Sequence, residues 1–331
     1  MVIREFGASS VFELTDMPVP DIAPHEVLIE VKASSVNPVD WKVRLGFAPP
    51  LCPTFPAVLH EDCAGVIAKV GADVDGLEVG DNVYSFATGL AGKQGALAEY
   101  MAADARMVAK MPSNLSFAEA ATLPLVGVTA WMALIDRSPI TPDSNLLIQG
   151  GTGGVGFFAV QLARAKLGEN IFATSGTSDK IQLAQTLGAK KAFNYKTDSV
   201  SDMVAEATAG DGFDTIFNTV GEPAINNSVL VARFGGTIID INGAFPTDGP
   251  FQVNCLSFLS LFAGYPITHG FDQQRVGDIL REMTDLVESG AIKPLVDPEQ
   301  FGFTEVGAAH DFLQNGSPTG KVSLVPDWPQ A

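Results

Sequence analysis

Three glycines in the middle of the chain, Gly151, Gly153 and Gly156, have the G-x-G-x-x-G spacing that seats the pyrophosphate of a dinucleotide. The first glycine permits a tight turn, the second lets the backbone approach the phosphates, and the third lets a helix pack closely on the preceding strand. The N–H groups at the start of that helix, together with its dipole, favour a bound anion. The other residues of the turn are expected to contact the same ligand: Thr152, Gly154 and Val155.

The elements around this turn decide between a cofactor site and an ordinary glycine-rich turn, because the motif alone is weakly specific. Residues 146–149 are a short apolar run before the glycines, and residues 157–167 have a helical pattern after them. The alternation continues with strands at 170–175, 192–195, 213–220 and 236–241 and helices at 179–187, 199–208 and 222–234. Such an alternation requires a parallel sheet covered on both faces, so it predicts a Rossmann-type, doubly wound domain with a sixth strand near residue 265.

The first third of the chain follows a different pattern, with short strands broken by proline and glycine. These strands are predicted at 27–32, 64–70, 82–86, 96–102 and 105–110. Their spacing predicts a small, mostly antiparallel β-barrel or sandwich. Ser116 and Glu119 form a capping box that begins a helix leading into the nucleotide domain. An amphipathic helix is predicted at 276–289, and a last strand at 320–325 is expected to return to the first domain. The predicted domains are therefore 1–120 with 268–331, and 121–267.

Composition excludes several classes of partner. Twenty basic residues against 38 acidic ones give a net charge of −18, which repels nucleic-acid backbones and anionic membrane surfaces. Cys52, Cys63 and Cys255 are far apart and show no metal-binding spacing, so reduced thiols in a cytoplasmic protein are expected. The first residues include Arg4 and Glu5 and lack the apolar segment of a secretory signal.

The motifs of the whole chain, in their order and spacing, resemble the medium-chain dehydrogenase/reductase superfamily. The matching segments are residues 37–42 (NPVDWK), 62–66 (DCAGV), 79–84 (VGDNVY), 98–100 (AEY), 123–124 (LP), 127–130 (GVTA), 153–156 (GGVG) and 319–322 (TGKV). Within the superfamily, the zinc-independent quinone oxidoreductase (zeta-crystallin-like) branch is the most similar. The resemblance implies an α/β protein with a GroES-like, mostly antiparallel β catalytic domain and a Rossmann domain.

The same resemblance implies that the chain holds no catalytic zinc. Asn37 stands where zinc-dependent members of the superfamily carry a ligand cysteine, and Glu61 stands at the position of their ligand histidine. His60 lies one place too early for that role. A metal site built from His60, Glu61 and Asp62 in a shifted register remains an alternative, and a loop or pocket-wall role is favoured.

The end of the second Rossmann strand indicates which nicotinamide cofactor binds. Enzymes specific for the unphosphorylated cofactor place an acidic residue there to hold the ribose 2′-OH, whereas this chain has Ser175 flanked by threonine and glycine. Small side chains leave room for a 2′-phosphate, which Lys180 can neutralise, and Tyr195 matches a tyrosine that the family places beside that phosphate. Asp179 favours the unphosphorylated cofactor instead, but its place in the first turn of a helix is typical of a dipole partner. NADPH is therefore the expected cofactor.

Two residues are predicted to act on the substrate. The side-chain amide of Asn37 is expected to point into the active site as a hydrogen-bond donor, although an asparagine before a proline is also a normal turn residue. Tyr84 is expected to line the substrate pocket or supply a proton, with a simple wall role as the alternative. Further cofactor contacts are implied by the family pattern or by the carboxyl ends of parallel strands: Thr129, Asn218, Asn242, Gly243, Ala244 and Lys321.

These inferences predict a zinc-independent, NADPH-dependent reductase of quinones or other α,β-unsaturated carbonyls that works by direct hydride transfer. Without a Lewis-acidic metal, an acceptor that spreads negative charge over several atoms is easier to reduce than an isolated ketone. A zinc-independent alcohol dehydrogenase or carbonyl reductase and a non-catalytic, crystallin-like NADPH-binding protein remain alternatives. The segment 251–265 resembles the family's subunit-pairing edge, so a homodimer acting on a small molecule, without nucleic-acid or membrane partners, is expected.

Overall fold

The computed structural model describes residues 1–316 and 318–328, and the chain forms two compact units. The first unit contains Met1–Leu125, Gly264–Gly290 and Pro294–Ala331, and the second contains Val126–Ala263 and Ala291–Lys293. Residues 291–293 were expected in the first domain. They group with the second unit because Gln161 bonds the main chain of Lys293 in both directions. Of the predicted tail domain, residues 317 and 329–331 lie outside the described residues.

The elements alternate irregularly at the two ends of the chain and regularly in its middle. In chain order the strands are β1 (Glu26–Ser35), β2 (Asp62–Val70), β3 (Asn82–Phe86), β4 (Tyr100–Asp104), β5 (Val108–Lys110), β6 (Leu146–Gln149), β7 (Ile171–Ser175), β8 (Lys191–Asn194), β9 (Phe213–Asn218), β10 (Ala232–Asp240), β11 (Ser257–Ser260), β12 (Phe301–Gly302) and β13 (Ser323–Val325). The helices are α1 (Pro38–Arg44), α2 (Phe117–Ala120), α3 (Pro124–Trp131), α4 (Gly154–Lys166), α5 (Ser178–Thr186), α6 (Val200–Thr208), α7 (Glu222–Val231), α8 (Tyr265–His269), α9 (Gln273–Glu288) and α10 (Val306–Asn315).

The first unit is organised around β1. Among the described residues its sheet has the order β12-β13-β1-β2-β3-β5, and β4 also pairs with β1. All of these pairs are antiparallel except β12 with β13. The tail strand pairs Ser35 of β1 with Ser323 of β13, so the end of the chain returns to the first unit as expected. The fold class predicted from the sequence is confirmed in both units.

Helix α9 covers part of this sheet with one apolar face. Its buried residues recur at helical spacing: Val276, Ile279, Leu280, Met283 and Val287. Acidic and basic side chains occupy its exposed face. Helix α2 begins at the predicted capping box, in which Ser116 and Glu119 each accept a backbone N–H of the other. One run in the described chain, Phe117–Asp136, is long and apolar enough to cross a membrane by composition, but 78% of its most apolar window is buried.

The second unit has a parallel sheet in the order β11-β10-β9-β6-β7-β8. The chain begins at β6, proceeds to β7 and β8 on one side, and then returns to β9, β10 and β11 on the other. The carboxyl end of β6 is therefore the switch point of the sheet, where ligands bind in open α/β folds. Aromatic and aliphatic side chains fill the core on one face, among them Phe172, Phe193, Phe213 and Ile216.

The prediction near residue 265 was wrong in detail. The sixth strand is β11, which ends at Ser260, and Tyr265 begins helix α8. Pro266 lies in the first turn of this helix, where the missing N–H of proline costs nothing and its fixed φ favours the helix. Residues 105–107 likewise form a 3-10 turn before β5 rather than strand.

Candidate active site

The glycine-rich turn after β6 requires glycine at several positions. Gly150 has a φ of +78°, which only glycine adopts without strain. A Cβ on Gly156 would lie 2.0 Å from the carbonyl oxygen of Gly150, and one on Gly151 would lie 2.6 Å from Cβ of Ala173. Gly153 differs, because a Cβ there would meet the same carbonyl oxygen at an ordinary 3.4 Å. The close approaches explain the glycines at 150, 151 and 156, whereas residue 153 has room on the protein side.

Helix α4 starts directly from this turn. Gly153 is its N-cap and, within the described chain, no side chain caps it. The N–H groups of Gly154, Val155 and Gly156 in its first turn have no intrahelical acceptor and are oriented toward the helix start. The turn and helix therefore offer backbone donors and a favourable dipole to a phosphate, which is the arrangement predicted from the motif.

The residues predicted to lie beside the 2′-phosphate are at the neighbouring strand end, close to Thr152 of the glycine turn. Oγ1 of Thr152 in the glycine turn is 3.4 Å from Oγ of Ser175, the last residue of β7. The ring of Tyr195 lies against Gly176, since a Cβ there would be 2.7 Å from the tyrosine oxygen. Lys180 is in the first turn of α5, which Thr177 caps. Four of the predicted cofactor contacts are thus grouped around the ends of β6 and β7: Thr152, Ser175, Lys180 and Tyr195.

Asn218 and Asn242, predicted as cofactor contacts at the ends of β9 and β10, differ in their hydrogen bonding. The side chain of Asn218 is fully buried, and both its donors and its acceptor are used within the unit, by the main chain of residues 220–221 and by Asp240. It shapes the turn and has no donor left for a ligand. Nδ2 of Asn242, by contrast, is buried without a hydrogen-bond partner among the described residues. Its N–H groups are therefore available to a ligand.

Asp240 holds the turn that carries Asn242. Its carboxylate accepts the N–H groups of Asn242 and Ala244 at 2.9 Å each. Burial raises the pKa of Asp240, and the backbone N–H donors of residues 242–244 oppose that rise. Gly243 lies between them with a φ of +76° and nothing close to a Cβ position. The predicted residues 242–244 therefore form one small turn that Asp240 organises.

Thr129 of the second unit lies in helix α3 and is 5% exposed. Its predicted contact with the nicotinamide remains a prediction.

In the first unit, Asn37 lies in a buried polar network rather than at an open surface. Its Nδ2 donates to Oδ2 of Asp62 at 2.7 Å, and its Oδ1 accepts from the Lys321 ammonium. Asp62 also accepts the hydroxyl of Ser35 and the N–H of Leu125, and the lysine contacts it at 3.3 Å. The expected free-standing donor is therefore a residue held on both sides, with one N–H of its amide uncommitted.

Lys321 was expected to reach the cofactor, and its ammonium lies in the buried network around Asn37. It is 3% exposed and donates to the carbonyl oxygen of Val36, to Asn37 and to Asp62. An ammonium has three N–H groups, so these contacts use all of them. Lys321 is thus an anchor for Asn37, and its contact with the cofactor remains a prediction.

Tyr84 was expected at the substrate or in the pocket wall, and the contacts that the structure gives it are packing contacts with α9. The side chain is fully buried, its hydroxyl donates to the carbonyl oxygen of Leu280 at 2.5 Å, and Oγ1 of Thr284 is 3.0 Å away. Burial raises the pKa of Tyr84 further above its usual range. The hydroxyl fastens β3 to α9, a role that its place in a G-D-x-V-Y pattern did not reveal.

The shifted-register metal site is not formed by the described residues, among which no group of three or more His, Cys, Asp and Glu is arranged to hold a metal ion. His60 uses both ring nitrogens inside the unit: Nδ1 is 3.2 Å from Oγ of Ser34, and Nε2 is 2.9 Å from Nε2 of His310. His60 also has a φ of +75°, an unusual conformation for a residue with a side chain.

Sequence reasoning missed the structural roles of Gly150, Asp62 and Asp240, and it named Asp62 only in the alternative metal site. A glycine directly after a predicted strand could have signalled the positive φ at residue 150. An acid at the end of an apolar strand, as in residues 236–240, could have signalled Asp240. The role of Asp62 depends on partners up to 259 residues away in the chain, and no local pattern contains them.

Two family models match the chain: one described as alcohol dehydrogenase GroES-like domain covers residues 23–113, and one described as zinc-binding dehydrogenase covers residues 154–261. Among curated proteins, the chain is 35% identical to 2-methylene-furan-3-one reductase from Solanum lycopersicum, over 97% of this chain and 77% of that protein. It is 33% identical to NADPH-dependent alkenal/one oxidoreductase, chloroplastic, from Arabidopsis thaliana, over 98% and 78%. The crystal structure of Escherichia coli quinone oxidoreductase complexed with NADPH superposes with a TM-score of 0.86 and 26% identity, over 98% of this chain and 99% of that one.

Proposed function

Because the chain belongs to the medium-chain dehydrogenase/reductase superfamily, in the branch of quinone oxidoreductases and alkenal/one oxidoreductases, we propose that it is an NADPH-dependent reductase of quinones or other α,β-unsaturated carbonyls. The observation that carries this proposal is the glycine turn, where a Cβ on Gly156 would come within 2.0 Å of the Gly150 carbonyl oxygen. Such a turn brings backbone donors to a pyrophosphate.

The residues of the second unit fit this cofactor. The start of α4 supplies N–H groups for the pyrophosphate, and the unpartnered Nδ2 of Asn242 is a donor for a further polar group. Thr129, Gly243 and Ala244 are proposed as additional contacts. NADPH, when bound, supplies the hydride for the reduction.

The end of β7 favours the phosphorylated cofactor. Ser175 and Gly176 stand where a carboxylate would hold the ribose 2′-OH of the unphosphorylated form, and small side chains leave room for a phosphate. Lys180 offers positive charge, and the exposed ring of Tyr195 borders the same place. We propose Thr152, Ser175, Lys180 and Tyr195 as the residues that select NADPH.

In the first unit, Asn37 is the group proposed to bind the substrate carbonyl. One N–H of its amide donates to Asp62, and the second remains to donate to the oxygen on which negative charge collects during reduction. An acceptor that spreads this charge over a conjugated system needs fewer such donors than an isolated ketone.

We further propose a cytoplasmic homodimer with no nucleic-acid or membrane partner. The net charge of −18 opposes anionic surfaces, and Cys52, Cys63 and Cys255 are free thiols. Strand β11 is an edge strand with apolar neighbours, since Phe245 is 60% exposed and packs against Phe258 of that strand. An uncovered edge of this kind favours pairing with a second chain. Sedimentation velocity at several protein concentrations tests the dimer.

A cofactor-consumption assay tests the proposed function. Quinones, enones and alkenals are compared with saturated ketones and aldehydes, with NADPH and NADH in parallel and before and after treatment with a chelator. We expect oxidation of NADPH by the conjugated acceptors, slow turnover of the saturated ones, and no effect of the chelator. Equal rates with NADH contradict the cofactor assignment, and preferred turnover of saturated carbonyls favours a carbonyl reductase.

The variant Asn37→Ala tests the proposed role of Asn37 in the active site. It is expected to reduce turnover by about two orders of magnitude while leaving the dissociation constant of NADPH unchanged, because the residue is proposed to contact the substrate only. Tight NADPH binding without turnover of any acceptor in the unmodified protein indicates a non-catalytic binding protein instead.

A further inference from the structure

Two buried carboxyl groups, those of Asp40 and Glu61, lie next to Asn37 and are not part of the proposed reaction. Each residue is 1% exposed, and the two side chains hydrogen-bond to each other. Oδ2 of Asp40 accepts the backbone N–H of Asn37 at 2.6 Å. With both carboxyl groups ionised, Oδ1 of Asp40 and Oε2 of Glu61 are buried without a hydrogen-bond donor among the described residues. A proton bound between the two carboxyl groups supplies the missing donor and removes their repulsion.

The surroundings of the pair favour that proton. Burial raises the pKa of Asp40 to about 7, against the hydrogen bonds from Glu61 and Asn37. Burial and the negative charge of Asp40 raise the pKa of Glu61 well above its usual range. The pair therefore carries one proton at neutral pH and titrates as a unit.

The other charged or titratable groups around the pair come from four parts of the unit. The carboxylate of Asp62 opposes a second negative charge, and the ammonium of Lys321 favours one. His60 lies with Nε2 4.0 Å from Oδ2 of Asp40, and His310 is bonded to His60. Burial lowers the pKa of both histidines. Burial also lowers the pKa of the Met1 amine, and the positive charge of that amine further lowers the pKa of His60. The neutral histidines leave Lys321 as the cation that faces the pair.

The network fixes Asn37 at three points. Its amide oxygen faces the Lys321 ammonium and its amide nitrogen faces the Asp62 carboxylate. The flipped amide would turn its N–H groups toward the ammonium and its oxygen toward the carboxylate, which is strongly disfavoured. The backbone N–H is held by Asp40, whose other oxygen belongs to the carboxyl pair.

We propose that Asp40, Glu61, Asp62 and Lys321 are positioning residues for Asn37, and that the proton shared by Asp40 and Glu61 keeps the amide in its working orientation. This inference rests on the proposed role of Asn37 in reduction. Loss of the shared proton leaves two adjacent buried carboxylates, which repel each other and the nearby Asp62. Asp40 then moves away from Glu61, the backbone at Asn37 loses its fixed acceptor, and turnover falls as pH rises.

A double-mutant cycle tests the positioning role. Asp62→Asn is expected to lower kcat about tenfold to a hundredfold without changing the dissociation constant of NADPH, because its Oδ2 no longer orients the amide. The double variant with Asn37→Ala is expected to be no slower than Asn37→Ala alone, since the carboxylate acts through the amide. If the loss of kcat in the double variant equals the product of the two single losses, the positioning role is overturned.

The pH profile tests the shared proton. The unmodified enzyme is expected to lose kcat/KM above pH 7. Glu61→Gln keeps a donor toward Asp40 and cannot ionise, so it is expected to flatten this fall. It should retain kcat within about threefold at pH 6.5, because the geometry at low pH is preserved. Glu169→Gln, on an exposed residue of the second unit, is the matched control and leaves the profile unchanged. An unchanged alkaline limb in Glu61→Gln overturns the inference.

Infrared spectroscopy provides a readout that does not depend on activity. At neutral pH the unmodified protein is expected to show the C=O stretch of a protonated buried carboxyl, and Glu61→Gln is expected to lack it. Absence of the band in the unmodified protein overturns the shared proton even if reduction proceeds normally. A band present in a protein that reduces no acceptor contradicts the proposed function and the role of the pair in turnover, while leaving the proton assignment intact.

Discussion

The Nε2 atoms of His60 and His310 lie 2.9 Å apart, and the planes of the two rings are inclined by only 16°. The direction of the hydrogen bond follows from its neighbours. Nε of Arg44 donates to Nδ1 of His310 at 3.3 Å, so His310 carries its proton on Nε2 and donates to His60. His60 then carries its proton on Nδ1 and donates to Oγ of Ser34, which donates to the carbonyl oxygen of Asp62. The chain of bonds runs in one direction and needs both rings neutral.

Protonation of either histidine would bring two N–H groups face to face. Burial lowers the pKa of His310 to about 3, with the nearby charge of Arg44 as a second cause, and burial lowers that of His60 well below its usual value. In the unfolded chain both rings titrate near their ordinary pKa. The unfolded state therefore binds more protons below pH 6.5, and stability from these histidines is lost as pH falls.

We predict that His310→Gln, which retains an acceptor for Arg44 and a donor for His60, is less stable than the unmodified protein at pH 7 by a margin that shrinks with acidification. From pH 7 to pH 5 the difference in unfolding free energy should narrow by about 2 kcal/mol, because the variant no longer suffers the cost of keeping His310 neutral. Urea denaturation at both pH values measures it.

The variant must be compared with the unmodified protein at each pH, because the Asp40–Glu61 pair changes stability with pH in the opposite direction to the histidines. The raised pKa values of both groups stabilise the fold at low pH, and the part that comes from Asp40 is lost as pH rises through about 7. Both proteins contain the pair, so its contribution cancels. His269→Gln, on an exposed histidine outside this chain of bonds, is the control for the loss of a histidine. If the difference in unfolding free energy between His310→Gln and the unmodified protein is the same at pH 7 and pH 5, the directed chain of hydrogen bonds is contradicted.

Two glycine substitutions should separate the folding role of the turn from its ligand role. Gly156→Ala is expected to destabilise the cofactor-free protein by about 1–3 kcal/mol or more, because the new methyl group would overlap the carbonyl oxygen of Gly150. Gly153→Ala should change that stability by less than about 1 kcal/mol, yet weaken NADPH binding about tenfold or more, since its methyl group occupies space that the pyrophosphate needs.

Thermal denaturation without ligand and a titration with NADPH measure the two effects. The matched pair differs only in the position of one methyl group on the same turn. Undiminished NADPH affinity in a stable Gly153→Ala protein contradicts a pyrophosphate at the glycine turn.

Local pattern was sufficient to predict much of the fold. The apolar run before Gly151 and the strand and helix alternation after it predicted the parallel sheet, because each element depends on neighbours close in sequence. The error near residue 265 arose where apolar character did not distinguish strand from helix, and Pro266 was the signal that decided it. The capping box at Ser116 was predictable for the same local reason.

The polar network around Asn37 was not predictable from local pattern. Lys321 lies 284 residues from Asn37 in the chain, and the pairing of β13 with β1 brings the tail strand beside the start of α1. The pattern that contains Tyr84 likewise carries no information about α9, in which the carbonyl oxygen of Leu280 accepts the hydrogen bond from the Tyr84 hydroxyl. Residue types indicated where chemistry was possible, while long-range strand and helix contacts decided which groups remained available.

Cofactor selection by the end of β7 leads to a further prediction. Ser175→Asp should raise the dissociation constant of NADPH at least about tenfold, because the new carboxylate repels the 2′-phosphate, while the affinity for NADH is retained or improved through the ribose hydroxyl. Equilibrium fluorescence titrations with both cofactors measure the ratio. Ser201→Asp adds the same charge on an exposed position of α6 and should leave the ratio unchanged. An unaltered ratio in Ser175→Asp contradicts this site for the phosphate.

The last prediction concerns Tyr84, for which packing and catalysis give opposite outcomes. Tyr84→Phe should lower the free energy of unfolding by about 1–2 kcal/mol, because the carbonyl oxygen of Leu280 loses its buried donor. The value of kcat with a quinone or enone should stay within about twofold, since the hydroxyl is directed at α9 and its raised pKa makes it a poor proton donor at neutral pH. Chemical denaturation and steady-state kinetics on the same preparation measure both quantities, with Tyr100→Phe as a control on a half-buried tyrosine. A tenfold loss of kcat at unchanged stability would restore Tyr84 as a substrate contact, because a hydroxyl that only packs against α9 affects stability rather than turnover.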